Sequence, residues 1–208
     1  MKLRTTLLAS TLALMGAASL SAQAAFENLA VDNGTLATAQ AVGSIGASGV
    51  INVFGLRGTV NLFGAVIVDN SDADFYGFSV AANQIITLRV DTPEGPNFGN
   101  DPVVGLFSAN GTILKVDDDG GPGYDSLLSF TISAPGTYFA AVSGFDDLNF
   151  NGVSDIFELT NDPQFFARTN FQYHLQISAT PAPVPVPAAG WLLGSALLGL
   201  AARKRKAA

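Results

Sequence analysis

Residues 171–178 read Phe-Gln-Tyr-His-Leu-Gln-Ile-Ser (FQYHLQIS). Large apolar side chains stand at 171, 173, 175 and 177, and polar ones at 172, 174, 176 and 178. A period of two is the signature of a β-strand with one buried and one solvated face, because successive side chains of an extended chain point to opposite sides. The same period recurs upstream. In DFYGFSV it aligns Tyr76, Phe78 and Val80, and in NQIITLRV it aligns Ile86, Leu88 and Val90 against Thr87 and Arg89. SLLSFTI turns Leu128, Phe130 and Ile132 inward, and GTYFAAVSG turns Tyr138, Ala140 and Val142 inward. LFSANGTIL reads as a hairpin whose Asn110-Gly111 pair supplies the positive φ of a tight turn. VINVF and TVNLF are two weaker strands.

No stretch between these strands carries a helical period. Some eight short strands separated by turn residues predict an all-β fold, an antiparallel, jelly-roll-like β-sandwich with one shared core. The pattern covers 50–178. Residues 25–49 are small, polar and Gly/Ala-rich and read as an extension leading into the domain, and 179–187 form a Pro/Ala linker.

The two ends differ from this body. The first 24 residues begin with Lys2 and Arg4, continue through an apolar run at Leu7–Leu14, and finish on Ala22-Gln23-Ala24. That order is a signal peptide, expected as a helix and cut by signal peptidase after Ala24. The sequence has no cysteine, so disulfides, thiolate catalysis and cysteine–zinc sites are excluded. Between Ala25 and Thr180 four cations face 17 acids, a net of −13. A body of that sign lacks the basic footprint that nucleic acid or an anionic membrane requires, and it suits a soluble surface or the collection of divalent cations.

Several of these segments occur in a recognisable order. TLATAQAVG is followed by Asp-x-Asp-Phe-Tyr-x-Phe at Asp72–Phe78, by DPVVGLFSANGTIL, by the acidic turn Asp117–Asp119 and by APGTYFAAVSG. Over most of Thr35–Gly144 this resembles the bacterial pre-peptidase C-terminal domain. The resemblance implies a jelly-roll-like sandwich that accompanies secreted enzymes or stands alone on surface proteins. No peptidase module is present, so it brings no catalytic residues.

DLNFNGVSDIFE (Asp147–Glu158) follows the twelve-residue calcium-loop pattern. Asp147, Asn149 and Asn151 take positions 1, 3 and 5, Gly152 makes the sharp turn, Val153 offers its carbonyl, and Asp155 and Glu158 take positions 9 and 12. Alternate residues of such a loop point inward, which is why oxygen ligands recur at this spacing. A strand rather than a helix precedes it, so the expectation is an EF-like loop grafted on a β-domain. The alternative is a solvated Asn/Asp/Gly hairpin loop. Extracellular calcium modules bind at about 10⁻⁴–10⁻³ M, and Asn at positions 3 and 5 points to that weak end. Asp117, Asp118, Asp119 and Asp125 in VDDDGGPGYDS form a second, weaker cation candidate or a plain acidic loop, and Asp72 and Asp74 have the same two readings. His174, the one histidine, lies on the polar face of its strand. With no Gly-x-Ser-x-Gly elbow and no Ser/His/Asp constellation, the expectation is a non-catalytic protein. Paired carboxylates acting on polysaccharide are the alternative.

The chain closes on VPVPAAGWLLGSALLGLAARKRKAA. As a helix, Pro187–Ala202 spans about 24 Å, short of the roughly 30 Å hydrocarbon core. Trp191 stands at its entry, and Arg203, Lys204, Arg205 and Lys206 would hold its end in the cytoplasm. The motif Val184-Pro185-Val186-Pro187-Ala188, the hydrophobic helix within 188–208 and the basic end resemble the PEP-CTERM sorting signal of Gram-negative bacteria, with Val186 where the usual Pro-Glu-Pro has Glu. That resemblance implies transient anchoring in the inner membrane, cleavage near Pro185–Ala188 by an exosortase-type enzyme, and delivery to the cell surface or exopolysaccharide matrix, where exopolysaccharide or other surface proteins would be the partners. A permanent envelope anchor is the alternative.

Overall fold

The computed structural model describes residues 22–62, 65–68, 73–92, 100–152, 155 and 170–183. Residues 1–21 of the signal segment, the sorting motif at 184–188, the hydrophobic helix and the basic end lie outside these residues, as do Asp72, Val153 and Glu158. Ala22, Gln23 and Ala24, expected to close the signal helix, instead open a β-strand that pairs with residues 50–52. Twelve strands are present among the described residues: β1 (Ala22–Phe26), β2 (Gln40–Ile45), β3 (Val50–Arg57), β4 (Thr59–Leu62), β5 (Ala65–Val68), β6 (Asp74–Val80), β7 (Gln84–Asp91), β8 (Pro102–Ser108), β9 (Ile113–Asp117), β10 (Ser126–Ile132), β11 (Gly136–Gly144) and β12 (Phe171–Pro181). They build one five-stranded sheet in the order β1-β3-β12-β7-β10, a second in the order β2-β6-β11-β8-β9, and a small ribbon, β4-β5.

FQYHLQIS lies at the centre of the first sheet, in β12, paired antiparallel with β3 on one side and β7 on the other. Phe171, Tyr173, Leu175 and Ile177 are all buried, and they meet Ile51, Val53, Ile86, Leu88 and Leu128 from the same sheet. The second sheet contributes Tyr76, Phe78, Leu106, Ala140 and Val142 to this core. Each buried side chain of this size stabilises the fold by roughly 1.5–3 kcal/mol. Phe130 and Tyr138, expected inward, are partly buried at its margin.

Three features depart from the expected architecture. The sheets are mixed rather than purely antiparallel, since β1 runs parallel to β3 and β2 runs parallel to β6. The cause is connectivity. A parallel neighbour needs a crossover, and the chain makes one by alternating between sheets: β1 in the first, β2 in the second, β3 back in the first. Residues 25–49 are more than a lead-in. They supply β2, place Val42 and Ile45 in the core, and bury Asn33, whose carbonyl accepts the Phe75 N–H at 3.0 Å. The hairpin at Asn110-Gly111 closes through three residues, 109–111. Ser108 N–H donates to the Thr112 carbonyl at 3.0 Å, and Gly111 takes the positive φ of 85°.

The second sheet is apolar on its outer face as well. Phe75, Val103, Phe107 and Ala141 alternate with the inward set and form a second cluster with Phe150, flanked by Leu36, Ala39, Val116 and Phe139.

A candidate cation site at the acidic end of the sandwich

Strand register decides which loops meet. Gly144 at the end of β11 pairs with Pro102 at the start of β8, and Val104 of β8 pairs with Asp117 at the end of β9. The residues just beyond these ends therefore share one end of the sandwich: Asp101, Asp118–Asp119, and the loop that starts at Asp146. Ser126 ties two of them together. Its buried hydroxyl bonds the Pro102 carbonyl and the Asp118 carbonyl, the latter at 2.6 Å. Asp101, Asp118 and Asp119 each bring a carboxylate oxygen within 4.8 Å of the others, with Asp101 buried, Asp118 half-buried and Asp119 exposed.

Asp118 bears the electrostatic consequence. Burial first, then the charges of Asp119, Asp146 and Asp117, push its pKa up to about 6. Its Oδ1 is buried and accepts no hydrogen bond. Desolvated, mutually repelling carboxylates are costly unless something positive offsets them. Hard oxygen ligands gathered from converging loops are the donor set that calcium takes.

The other candidates divide between this cluster and the loop framework. Asp117 Oδ2 accepts the N–H groups of Gly120 at 2.9 Å and Leu127 at 2.7 Å, so it staples the turn. Asp125 Oδ1 accepts both the N–H and the hydroxyl of Thr92, each at 3.1 Å, while burial raises its pKa. In the DLNFNG segment Asp147 is buried and turned inward. It accepts the Ser143 hydroxyl, Asn151 N–H at 3.1 Å and Gly152 N–H at 2.8 Å. Burial raises its pKa, and those donors together with the Arg57 charge counteract the rise. Buried Arg57 pins the loop by donating to the Gly152 carbonyl at 3.3 Å. Asn149 Nδ2 donates to Asp155 Oδ1 at 2.6 Å, and Asn149 Oδ1 accepts Asn151 N–H at 3.0 Å. Gly152 makes the turn expected of it, with φ of 88°. Asp74 belongs to the core and is described below.

Strands β6 to β11 and the acidic turn fall within one stretch of sequence. Residues 72–144 match the bacterial pre-peptidase C-terminal domain. Similar solved structures include the pre-peptidase C-terminal domain of collagenase from Bacillus anthracis, at 16% identity over 68% of this chain and 94% of that one, with a TM-score of 0.35. PliG from Aeromonas hydrophila, a periplasmic lysozyme inhibitor of g-type lysozyme, is 12% identical over 68% and 98%, with a TM-score of 0.37. CorA of Methylomicrobium album BG8, a surface-associated copper-binding protein, is 11% identical over 77% and 99%, with a TM-score of 0.37. No curated protein matches the chain.

Within the pre-peptidase-domain match, sequence reasoning passed over Asp101 and Ser126. Asp101 heads DPVVGLFSANGTIL and looks like the start of a strand; only the pairing of β8 with β9 and β11 brings it beside Asp118.

The raised pKa of Asp118 has a measurable consequence. An acid that holds its proton more tightly when folded opposes folding once it ionises, so stability falls as pH rises from 3.8 to about 6 and stays lowered above that. Asp118→Asn is expected to remove this fall and, in EGTA at pH 7, to add about 1 kcal/mol after allowance for the group's partial exposure. Urea denaturation at pH 4, 5, 6 and 7 reads it. An unchanged pH slope in the variant would locate the repulsion elsewhere.

Proposed function

We propose that the chain is an exported, non-catalytic cell-surface or matrix protein, with a pre-peptidase-type β-sandwich braced by calcium at its acidic end and a C-terminal sorting signal of the PEP-CTERM type. The convergence of three acidic loops around Asp118 carries the calcium part of this reading. The DLNFNG turn forms the adjoining wall, with the calcium-loop order of residues supporting the same ion. Export is supported by the order of Lys2, the apolar run and Ala22-Gln23-Ala24, and sorting by the motif, hydrophobic run and basic end. Among the described residues no helix is long and apolar enough to cross a membrane.

The non-catalytic reading is supported by His174, which stacks on Phe54 and bonds Asn52 rather than a nucleophile. A glycoside hydrolase would separate its two carboxyl groups by about 5–10 Å to leave room for the sugar bond. Oxygens of Asp101, Asp118 and Asp119 within 4.8 Å of one another suit a cation better.

Calcium titration followed by thermal melting tests the brace. With a Kd near 10⁻⁴ M, about 5 mM calcium adds roughly 2 kcal/mol and raises Tm by about 5–10 °C. Asp118→Asn/Asp119→Asn is expected to abolish the rise, and Asp155→Asn separates the loop's contribution from the cluster's. A Tm unmoved at 5 mM calcium, or an undiminished rise in the double variant, would sink the calcium reading. Mass spectrometry of the surface fraction tests the sorting half: an intact Arg-Lys-Arg-Lys end there would replace the sorting signal with a permanent anchor.

A further inference from the structure

The outer face of the first sheet differs from the acidic end in chemistry. Phe26, Phe54 and His174 are direct cross-strand neighbours on β1, β3 and β12. The rings of Phe26 and Phe54 lie 5.6 Å apart, and Phe54 stacks on His174 at 4.7 Å with an interplanar angle of 10°. Beside this row, Asn52 Oδ1 bonds His174 Nε2 at 2.9 Å and accepts from Gln176 Nε2 at 3.4 Å. Farther across the sheet the charges cancel, Arg89 pairing with Asp91 at 2.6 Å. An aromatic and amide face thus sits on a body with a net charge of −13 between Ala25 and Thr180.

A groove of about 350 Å³ opens along this face, lined by Phe26, Glu27, Leu29, Phe54, Leu56 and Gln172. Phe26 is 75% exposed. It is held there: Gln40 Nε2 donates to its carbonyl at 2.9 Å, Gln40 Oε1 accepts Asn28 N–H at 2.8 Å, and Glu27 N–H donates to the Phe54 carbonyl at 2.9 Å. These three bonds survive removal of the segment up to Ala24, which takes with it the pairings of Ala22, Gln23 and Ala24 with Val50, Ile51 and Asn52. A large apolar side chain presented on a fixed backbone beside a groove marks a binding surface, because burying it would otherwise have stabilised the fold.

We propose that this groove binds a neutral glycan chain. A pyranose offers an apolar C–H face to the free face of Phe26, and its rim of hydroxyls suits the Gln172 amide at the groove wall, where the Glu27 carboxylate is held by the Leu56 N–H at 2.8 Å. The size is that of a small-ligand site, apolar in the main with a few convergent polar groups. Charge decides among glycans. Glu27 in the wall and the acidic body repel uronate or sulfate polymers, whereas an uncharged polymer meets no such barrier. The inference rests on the reading of the chain as exported, and it is independent of calcium because no residue of the acidic end takes part.

Affinity gel electrophoresis of the purified protein, in EGTA, through gels containing hydroxyethylcellulose, glucomannan or alginate tests it. Retardation by at least one neutral polymer and none by alginate is expected. Phe26→Ala opens no cavity, so its Tm stays near wild type while its affinity falls about tenfold; Gln172→Ala weakens binding in the same gel. Free migration in both neutral gels, equal retardation by alginate, or retardation unaffected by Phe26→Ala would each overturn the assignment. So would a dimer in sedimentation that Phe26→Ala dissolves, which would make the face a contact between two copies. Loss of the calcium-dependent Tm rise with glycan retardation intact would fail the brace and leave this groove standing.

Discussion

Gly55→Ala is expected to cost about 3 kcal/mol or more and to lower the urea midpoint sharply. A Cβ at residue 55 would lie 2.4 Å from both Cζ and the hydroxyl oxygen of Tyr173, its cross-strand partner. That ring has nowhere to go. Tyr173 is 2% exposed, its hydroxyl donates to Asp74 Oδ2 at 2.7 Å, and it lies 2.5 Å from the Tyr76 hydroxyl. Burial, then the Asp74 charge, holds both phenols well above the ordinary tyrosine pKa, so the pair stays protonated and able to donate to the carboxylate. Moving the ring strips Asp74 Oδ2 of this donor in a site without exposure. Tyr173→Phe isolates that second part. It keeps the ring, removes the donor, and is expected to cost about 2 kcal/mol, the order of one buried hydrogen bond to a charged group. A Gly55→Ala protein with a wild-type midpoint would mean that Tyr173 can relax away from the Asp74–Tyr76 network.

The first sheet could be read from residues 171–178 because it has one wet face, and period two survives only where the two faces differ. The second sheet is the counter-case. β8, PVVGLFS, is buried from Pro102 to Phe107, so alternation carries no information there. Phe75 and Phe139 sit at the parity that the pattern assigns to solvent, yet they pack in or against the outer cluster. The parallel edges were hidden for another reason. β1 and β2 are short and rich in small residues, and no local pattern tells a strand which neighbour it will find after a crossover. The acidic end shows the same limit. A contiguous motif directs attention to Asp147–Glu158, whose first carboxylate the fold spends on three donors of its own chain. The carboxylates gathered most closely, Asp101, Asp118 and Asp119, come from two loops separated in sequence, brought together by strand register and tied by Ser126.

Gly105→Ala should act at a distance on the acidic end. A Cβ there would lie 2.6 Å from Phe150 Cζ and 2.8 Å from Phe107 Cε2. Phe150 is the fourth residue of the calcium-loop motif, 5% exposed, and holds a positive φ of 59° that a side-chain-bearing residue adopts only when its surroundings impose it. The ring, packed edge-on against Phe107 at 5.3 Å, is what plants the loop on the outer face of the second sheet. Displacing it strains the turn in which Asp147 gathers the N–H groups of Asn151 and Gly152. The expected cost is about 2–4 kcal/mol, read by urea denaturation, together with loss of most of the calcium-dependent rise in Tm. A smaller side chain in the same place supplies the control. Phe150→Leu alone loses aromatic packing, but in the Gly105→Ala background it makes room for the new methyl, so the double variant should be more stable than the sum of the two single losses by about 1 kcal/mol or more. Simple additivity would show that Phe150 does not rest on Gly105, and an intact calcium response in Gly105→Ala would separate the loop from the cation site.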